Sequence, residues 1–382
     1  MQCDFSTSNR IIFGKGCVNQ IADLIKPIGR RGLIIQSSSV AADIDEILSG
    51  QMIETERYTC SGEPDIDSIT TILGVARQSN CDFVISIGGG SVIDTGKAVS
   101  ALLTNQGNLL DYLEVVGKGL PLTNPSKPFI AIPTTAGTGS EVTKNAVIDV
   151  PSSGVKVSMR STFMLPLISL VDPLLTIGLP PKITAATGMD AFTQVIEPYV
   201  SKRSNPMVDM FCRDAIPRAA KNLILAYLNG NDFEARENMA WVSLLGGLSL
   251  ANAGLGAVHG FAGVIGGMYH SPHGEICASL LPAVISGNIT ALQKKDSKHS
   301  LLDKYQEIAI WVTGKPKAKL EDALNWFEEL GTSLEIPKLS HFGIQKDDFN
   351  IIVQKSKNAS SMKANPIELN DGELFGILEA AF

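Results

Sequence analysis

Three of the chain's five histidines, His259, His270 and His273, fall within GLGAVHGFAGVIGGMYHSPHGEIC, residues 254–277. Neutral imidazole is the commonest protein ligand for zinc, iron and related ions. His259 and His273 are 14 residues apart. On one straight helix that is a rise of roughly 21 Å, too long for two ligands that each reach about 2 Å to a shared ion. The local sequence removes the conflict. Gly266-Gly267 can end one helix, and Ser271-Pro272 reads as an N-cap followed by proline at the first position of the next. The spacing predicts His259 on a first helix and His273 in the first turn of a second. The alternative is three helix-end histidines satisfied by backbone. A third protein ligand has to come from elsewhere, and Asp190 in TAATGMDAFTQVIEPYVS, residues 184–201, is its natural source. Asp190 and Gln194 are at i and i+4, on one helix face. Their apolar surroundings, Ala191, Phe192, Val195 and Ile196, argue against a solvated face. A glutamine carbonyl is a poor metal ligand beside imidazole, so Gln194 is at most a weak fourth ligand.

Two loops have a different chemistry. In CDFVISIGGGSVIDTGKA, residues 81–98, a strand runs through Gly88-Gly89-Gly90-Ser91 into a helix. Glycines let backbone approach a phosphate closely, and a helix N-terminus favours negative charge. The stretch is neither a GxGxxG fingerprint nor a P-loop, since Ser91 and Ala98 stand where the P-loop needs Gly and Ser or Thr. The second loop, IPTTAGTGSEVT (132–143), brings hydroxyl side chains and two glycines after an apolar strand, which suits a hydrogen-bonding wall around ribose or phosphate. A tight turn and a solvated loop are the plain alternatives.

These groups need a frame. GLIIQS (32–37), FVISI (83–87) and FIAI (129–132) read as buried strands; 65–79 and 92–103 have helical periodicity. Strand–helix alternation predicts an α/β unit with a parallel sheet, whose ligands gather at the carboxyl ends of strands. KVSMRS (156–161) and LISLVDPLL (167–175) complete it, and Leu179-Pro180-Pro181 punctuates the chain. The texture then turns to long helical patterns: 182–201, 206–229, 233–252, 274–290, 301–313, 320–335 and 346–359. The expected division is 1–181, an α/β dinucleotide-binding domain, and 182–382, an all-α domain for metal and substrate. At 382 residues, 44 % hydrophobic and 19 % charged, the chain is large enough for both. A net charge of −7 argues against nucleic acid or an anionic membrane as partner. Six cysteines without paired spacing, no signal-like N-terminus and no run of 18 apolar residues suggest a reduced, cytoplasmic setting.

The motifs resemble, in order and along nearly the whole length, the iron-containing (group III) alcohol dehydrogenases, members of the dehydroquinate synthase-like superfamily. They are FGKG (13–16), GGGSVIDTGKA (88–98), PTTAGTGSEVT (133–143), LVDP (170–173), LPP (179–181), GMDAFTQVIEPYVS (188–201), the VHG–PHG pair (258–260 and 272–274) and NP (365–366). The resemblance implies an N-terminal α/β domain and an all-helical C-terminal domain with a cleft between them. It implies NAD or NADP held by Gly88, Gly89, Gly90, Ser91, Asp94, Thr134, Thr135, Thr138, Ser140, Asn145 and Lys156. It implies a divalent metal, Fe2+ or Zn2+, on Asp190, His259 and His273, a small alcohol or aldehyde as substrate, and a homodimer.

Three departures from the family pattern stand out. Gln194 replaces the third histidine ligand, although relatives resembling glycerol dehydrogenase manage with one Asp and two His. Gly263 stands where many members carry a further histidine, leaving His270 as a partial substitute for proton relay. Ser37 replaces an aspartate common at the end of its strand, which removes repulsion of a 2′-phosphate and admits NADP. The expected chemistry is hydride transfer between nicotinamide and a carbonyl carbon, with the metal as Lewis acid. The alternatives are a metal-independent reductase similar to maleylacetate reductases, a nucleotide-binding protein without activity, and a lyase similar to dehydroquinate synthase.

Overall fold

A computed structural model of the chain describes residues 4–38, 44, 47–48, 50–296 and 298–382. Its first compact unit comprises residues 6–135 and 139–177. Eight strands are described: β1 (Arg10–Phe13), β2 (Arg31–Ser37), β3 (Glu54–Cys60), β4 (Phe83–Gly88), β5 (Phe129–Pro133), β6 (Asn145–Val150), β7 (Val155–Arg160) and β8 (Ile168–Val171). Six of them make one parallel sheet in the order β1-β8-β5-β4-β2-β3; β6 and β7 pair antiparallel apart from it. Every residue of β4 and β5 is buried, as a sheet covered on both faces requires. One face, with Leu33, Val84, Phe129 and Ala131, packs against α2 (Ile66–Ser79) and α3 (Gly90–Leu102). The other, with Ile34, Phe83, Ile85, Ile130 and Ile132, packs against α1 (Ile21–Ile25). A short α4 (Leu109–Tyr112) follows α3.

The strand order reverses between β2 and β4. From β2 the chain steps outward to β3, then returns on the other side of β2 as β4. A crevice at the carboxyl ends of the strands flanking such a switch is where open α/β sheets bind ligands. Here those ends are Ser37 and Gly88.

The second unit comprises residues 1–5, 136–138 and 178–382. It is helical: α5 (Pro181–Val200), α6 (Pro206–Leu228), α7 (Phe233–Ala253), α8 (Ala257–Tyr269), α9 (His273–Lys295), α10 (Ser300–Thr313), α11 (Leu320–Ser333), α12 (Phe349–Lys357) and α13 (Asp371–Ala381). Its centre is α5, which packs on α6, α7 and α9 and has 15 of its 20 residues buried. Gly266-Gly267 does not end α8. The helix runs on to Tyr269, and His270 at φ 50° supplies the left-handed C-cap that a glycine was expected to provide. Nor does Pro272 open α9 from its first position; it occupies the N-cap, and His273 is the first helical residue. The break falls where it was expected, between His259 and His273. Among the described residues one single helix, α9, is long and apolar enough to cross a membrane, and 72 % of its apolar window is buried inside the fold.

Candidate functional site

A helix buried on nearly all sides should be apolar, yet α5 carries Asp190, Thr193, Gln194 and Glu197, each 5 % exposed or less. The 3.6-residue period sets Asp190, Gln194 and Glu197 along one stripe. Buried polar groups must find partners, and these find them on α8 and α9. Glu197 Oε2 lies 2.7 Å from His259 Nδ1, and its Oε1 accepts from the Val258 backbone N–H at 2.7 Å. The far side of the same ring, Nε2, is 3.2 Å from Asp190 Oδ1. His273 Nε2 comes within 3.9 Å of the same oxygen and 3.6 Å of Cys277 Sγ. One donor atom each from Asp190, His259, His273 and Cys277 lies within 4.8 Å of all the others.

Glycines allow this convergence. A Cβ on Gly274, next to His273, would collide with the Ala186 carbonyl oxygen of α5. One on Gly256 would fall 2.7 Å from Glu197 Oε1, and one on Gly246 of α7 3.2 Å from Gln194 Cβ. The HG of the PHG motif is thus a ligand candidate followed by the residue that lets its helix touch α5.

The electrostatics favour a cation. Burial opposes charge on both imidazoles, but Cys277 and Asp190, with Glu197 for His259, outweigh it. The His259 pKa is raised well above the usual imidazole value, and that of His273 is raised too. Burial likewise pushes Asp190 upward, yet the two imidazoles and the Gln194 amide hold it below the ordinary carboxylate range. Both ring nitrogens of His259 face carboxylates, Nδ1 toward Glu197 and Nε2 toward Asp190, so a cation that displaced the Nε2 proton would take its place beside Asp190 while Glu197 kept the proton on Nδ1. Carboxylate, two imidazoles and a sulfur are donors that zinc and other first-row divalent ions accept. The residues present therefore fit a divalent metal. The cluster is not sealed, since 37 % of the His273 side chain is exposed.

In the α/β unit, the glycine loop lies as expected between β4 and α3. Gly89 is the N-cap of α3 and brings no side chain to its first turn, leaving the helix terminus to a ligand. A Cβ there would meet only Thr135, at 3.5 Å. The Thr134 backbone N–H donates to Gly88 carbonyl at 2.9 Å, tying the two candidate loops together. Behind them, fully buried Lys97 donates to Asp94 (3.1 Å), Thr143 Oγ1 (2.8 Å) and the Asn145 carbonyl (2.6 Å). Asp94 also accepts from Ser140 Oγ and the Val147 N–H. Asp94, Ser140 and Asn145 are thus joined in a lock that fixes the loop walls. Lys156 pairs with Glu63 at 2.5 Å, and Ser37 is half-buried at the end of β2.

Of the sequence candidates, Asp190, His259 and His273 converge. Gln194 turns its amide nitrogen to Asp190 Oδ2 at 2.9 Å. His270, exposed at the C-cap of α8, is not one of the four clustered residues. Sequence reasoning missed Glu197 and Cys277. Their spacing was available: Glu197 is i+7 from Asp190, and Cys277 is i+4 from His273.

Two family models cover the chain: "Iron-containing alcohol dehydrogenase" matches residues 8–173, and "Fe-containing alcohol dehydrogenase family, C-terminal" matches 184–382. Alcohol dehydrogenase 4 of Schizosaccharomyces pombe is 34 % identical over 97 % of this chain and 87 % of its own. The crystal structure of a 1,3-propanediol oxidoreductase superposes with a TM-score of 0.91 at 32 % identity, covering all of both chains. Sulfoacetaldehyde reductase from Bifidobacterium kashiwanohense, solved in complex with NAD+, superposes with a TM-score of 0.87 at 28 % identity, covering 99 % of this chain and 98 % of that one.

Proposed function

Because the chain belongs to the iron-containing alcohol dehydrogenase family, we propose that it is a metal-dependent, NAD(P)-linked dehydrogenase that interconverts a small alcohol and its aldehyde or ketone. The observation that carries this reading is the convergence of Asp190, His259 and His273 donor atoms in the helical unit. A divalent ion bound there would supply Lewis acidity toward the substrate oxygen, and a nicotinamide dinucleotide would supply or take the hydride.

The chain's own residues do the rest. Glu197 holds the proton on His259 Nδ1, so Nε2 is the nitrogen that would give up its proton and bind the ion. Asp190 brings negative charge into a buried site, where a cation is worth more than in water. Gln194 donates to the second oxygen of Asp190 and so fixes which oxygen points at the histidines. Gly89 and the α3 N-terminus support binding of the pyrophosphate, and Ser37, beside the switch of strand order, allows NADP as well as NAD. Assembly as a homodimer belongs to the same reading.

The test is turnover of NADH and NADPH with a panel of small aldehydes, before and after exhaustive chelation, with metal content measured throughout. Activity should disappear with the metal and return with Zn2+ or Fe2+, and His273→Ala should lose both metal and activity. Full activity after complete chelation would instead support a metal-independent reductase.

A further inference from the structure

We propose that Cys277 is a fourth protein ligand, binding the ion as thiolate, and that its sulfur makes this centre a zinc site rather than an iron site. This rests on the metal reading above and specifies its donor set.

A buried cysteine is usually a small apolar filler. Cys277 is fully buried, yet its sulfur lies 3.6 Å from Nε2 of His273, the nitrogen that faces Asp190. Ligands of a tetrahedral ion at about 2.0–2.3 Å stand roughly 3.3–3.7 Å apart. The Asp190–His259, Cys277–His273 and Asp190–His273 separations are 3.2, 3.6 and 3.9 Å. These three are close to tetrahedral spacing and the other separations are within 4.8 Å, so the four donors can close around one ion with shifts on the order of 1 Å.

The position expected to supply a weak fourth ligand points elsewhere. Gln194 donates through Nε2 to Asp190, so its nitrogen, which has no lone pair to offer, lies on the cluster side. Its Oε1 is buried without a hydrogen-bond partner, near Gly246 on α7. The donor that α5 does not provide comes instead from α9, one turn after His273 on the same face.

Charge and softness decide the metal. Ligation releases the thiol proton to solvent, and thiolate with the Asp190 carboxylate neutralises a divalent charge inside the fold. Thiolate is a soft donor that selects zinc, and zinc already binds nitrogen and oxygen donors more tightly than ferrous iron does. Zinc also accepts a fifth donor, so four protein ligands do not close the centre to substrate.

The test strips the full-length protein with chelator and loads it with Co2+. The wild type should show an intense sulfur-to-cobalt charge-transfer band in the near ultraviolet. Cys277→Ser should lose that band while keeping the weaker ligand-field bands. X-ray absorption of the zinc-loaded wild type, which needs no variant, should show one sulfur at about 2.3 Å. Zinc affinity in Cys277→Ser should fall by more than the roughly 100-fold that loss of an outer partner costs. In anaerobic competition at equal concentrations, zinc should displace iron. Cobalt binding with only nitrogen and oxygen neighbours would remove Cys277 from the set and leave a three-residue site. A preference for iron would overturn the zinc assignment, and no cobalt binding at all would overturn the metal reading and this proposal with it.

Discussion

Glu197 stands outside the donor group, yet it decides which nitrogen of His259 is offered to an ion. Glu197→Ala should therefore weaken zinc binding about 10–100-fold, measured by competition with a chromophoric chelator, while Glu197→Gln should lose less because its amide oxygen can still accept from Nδ1. Equal affinity in Glu197→Ala and wild type would show that the tautomer is set by something else. A second buried carboxylate acts on stability. Burial pushes the Glu141 pKa from 4.5 up to about 7. The folded state thus holds its proton more tightly than the unfolded chain does. Its contribution is complete below pH 4.5, is lost as the pH rises toward 7, and stays lost above that. The loss is on the order of 3 kcal/mol. Glu141→Gln cannot lose a proton, so denaturation midpoints should show the variant gaining on the wild type between pH 5 and pH 8. Parallel pH profiles would refute the assignment.

Two glycines of one element separate binding from packing. Gly89, at the N-cap of α3, has room for a side chain against Thr135, so Gly89→Val should fold normally and lose dinucleotide binding by calorimetry. Seven residues on, a Cβ at Gly96 would collide with Ser86 Oγ and lie 2.6 Å from Phe129 Cε2, where α3 presses on the sheet. Gly96→Ala should cost about 1–3 kcal/mol by overpacking, and a larger loss of stability in Gly89→Val would invert this reading. The elements also show what could be read in advance. Buried runs such as FVISI announced β4 and its neighbours, because a strand covered on both faces must be apolar throughout. β3, ETERYTC, is an edge strand whose alternating exposed charges look like a loop, and β1 is four residues long, so neither was legible. Gly266-Gly267 misled because both glycines are buried, where packing overrides local propensity. At the site, histidines declared themselves by rarity and spacing. Glu197 and Cys277 did not, since a glutamate near a helix end and a cysteine among small residues are ordinary until the fold brings them to an imidazole.

At the scale of the whole molecule, each unit has its own ligand reading. Hydrogen exchange should record this: zinc should protect chiefly α5, α8 and α9, and the dinucleotide chiefly the β4–α3 loop. A ligand present at 100 times its Kd adds about 2.7 kcal/mol to the state that binds it, and zinc-induced protection confined to the α/β unit would contradict the assignment. The sheet has one more consequence, for synthesis. Arg10 pairs with Ile168 and Phe13 with Val171, so the strand made first takes its place beside the strand made last. At 5–20 residues per second, on the order of 10–30 s separate the two on a ribosome. Through that interval β1 has no partner and β5 lacks its β8 neighbour. The nascent α/β unit is therefore a half-built sheet with an open edge, and its demand on chaperones is set by the order in which its strands are translated.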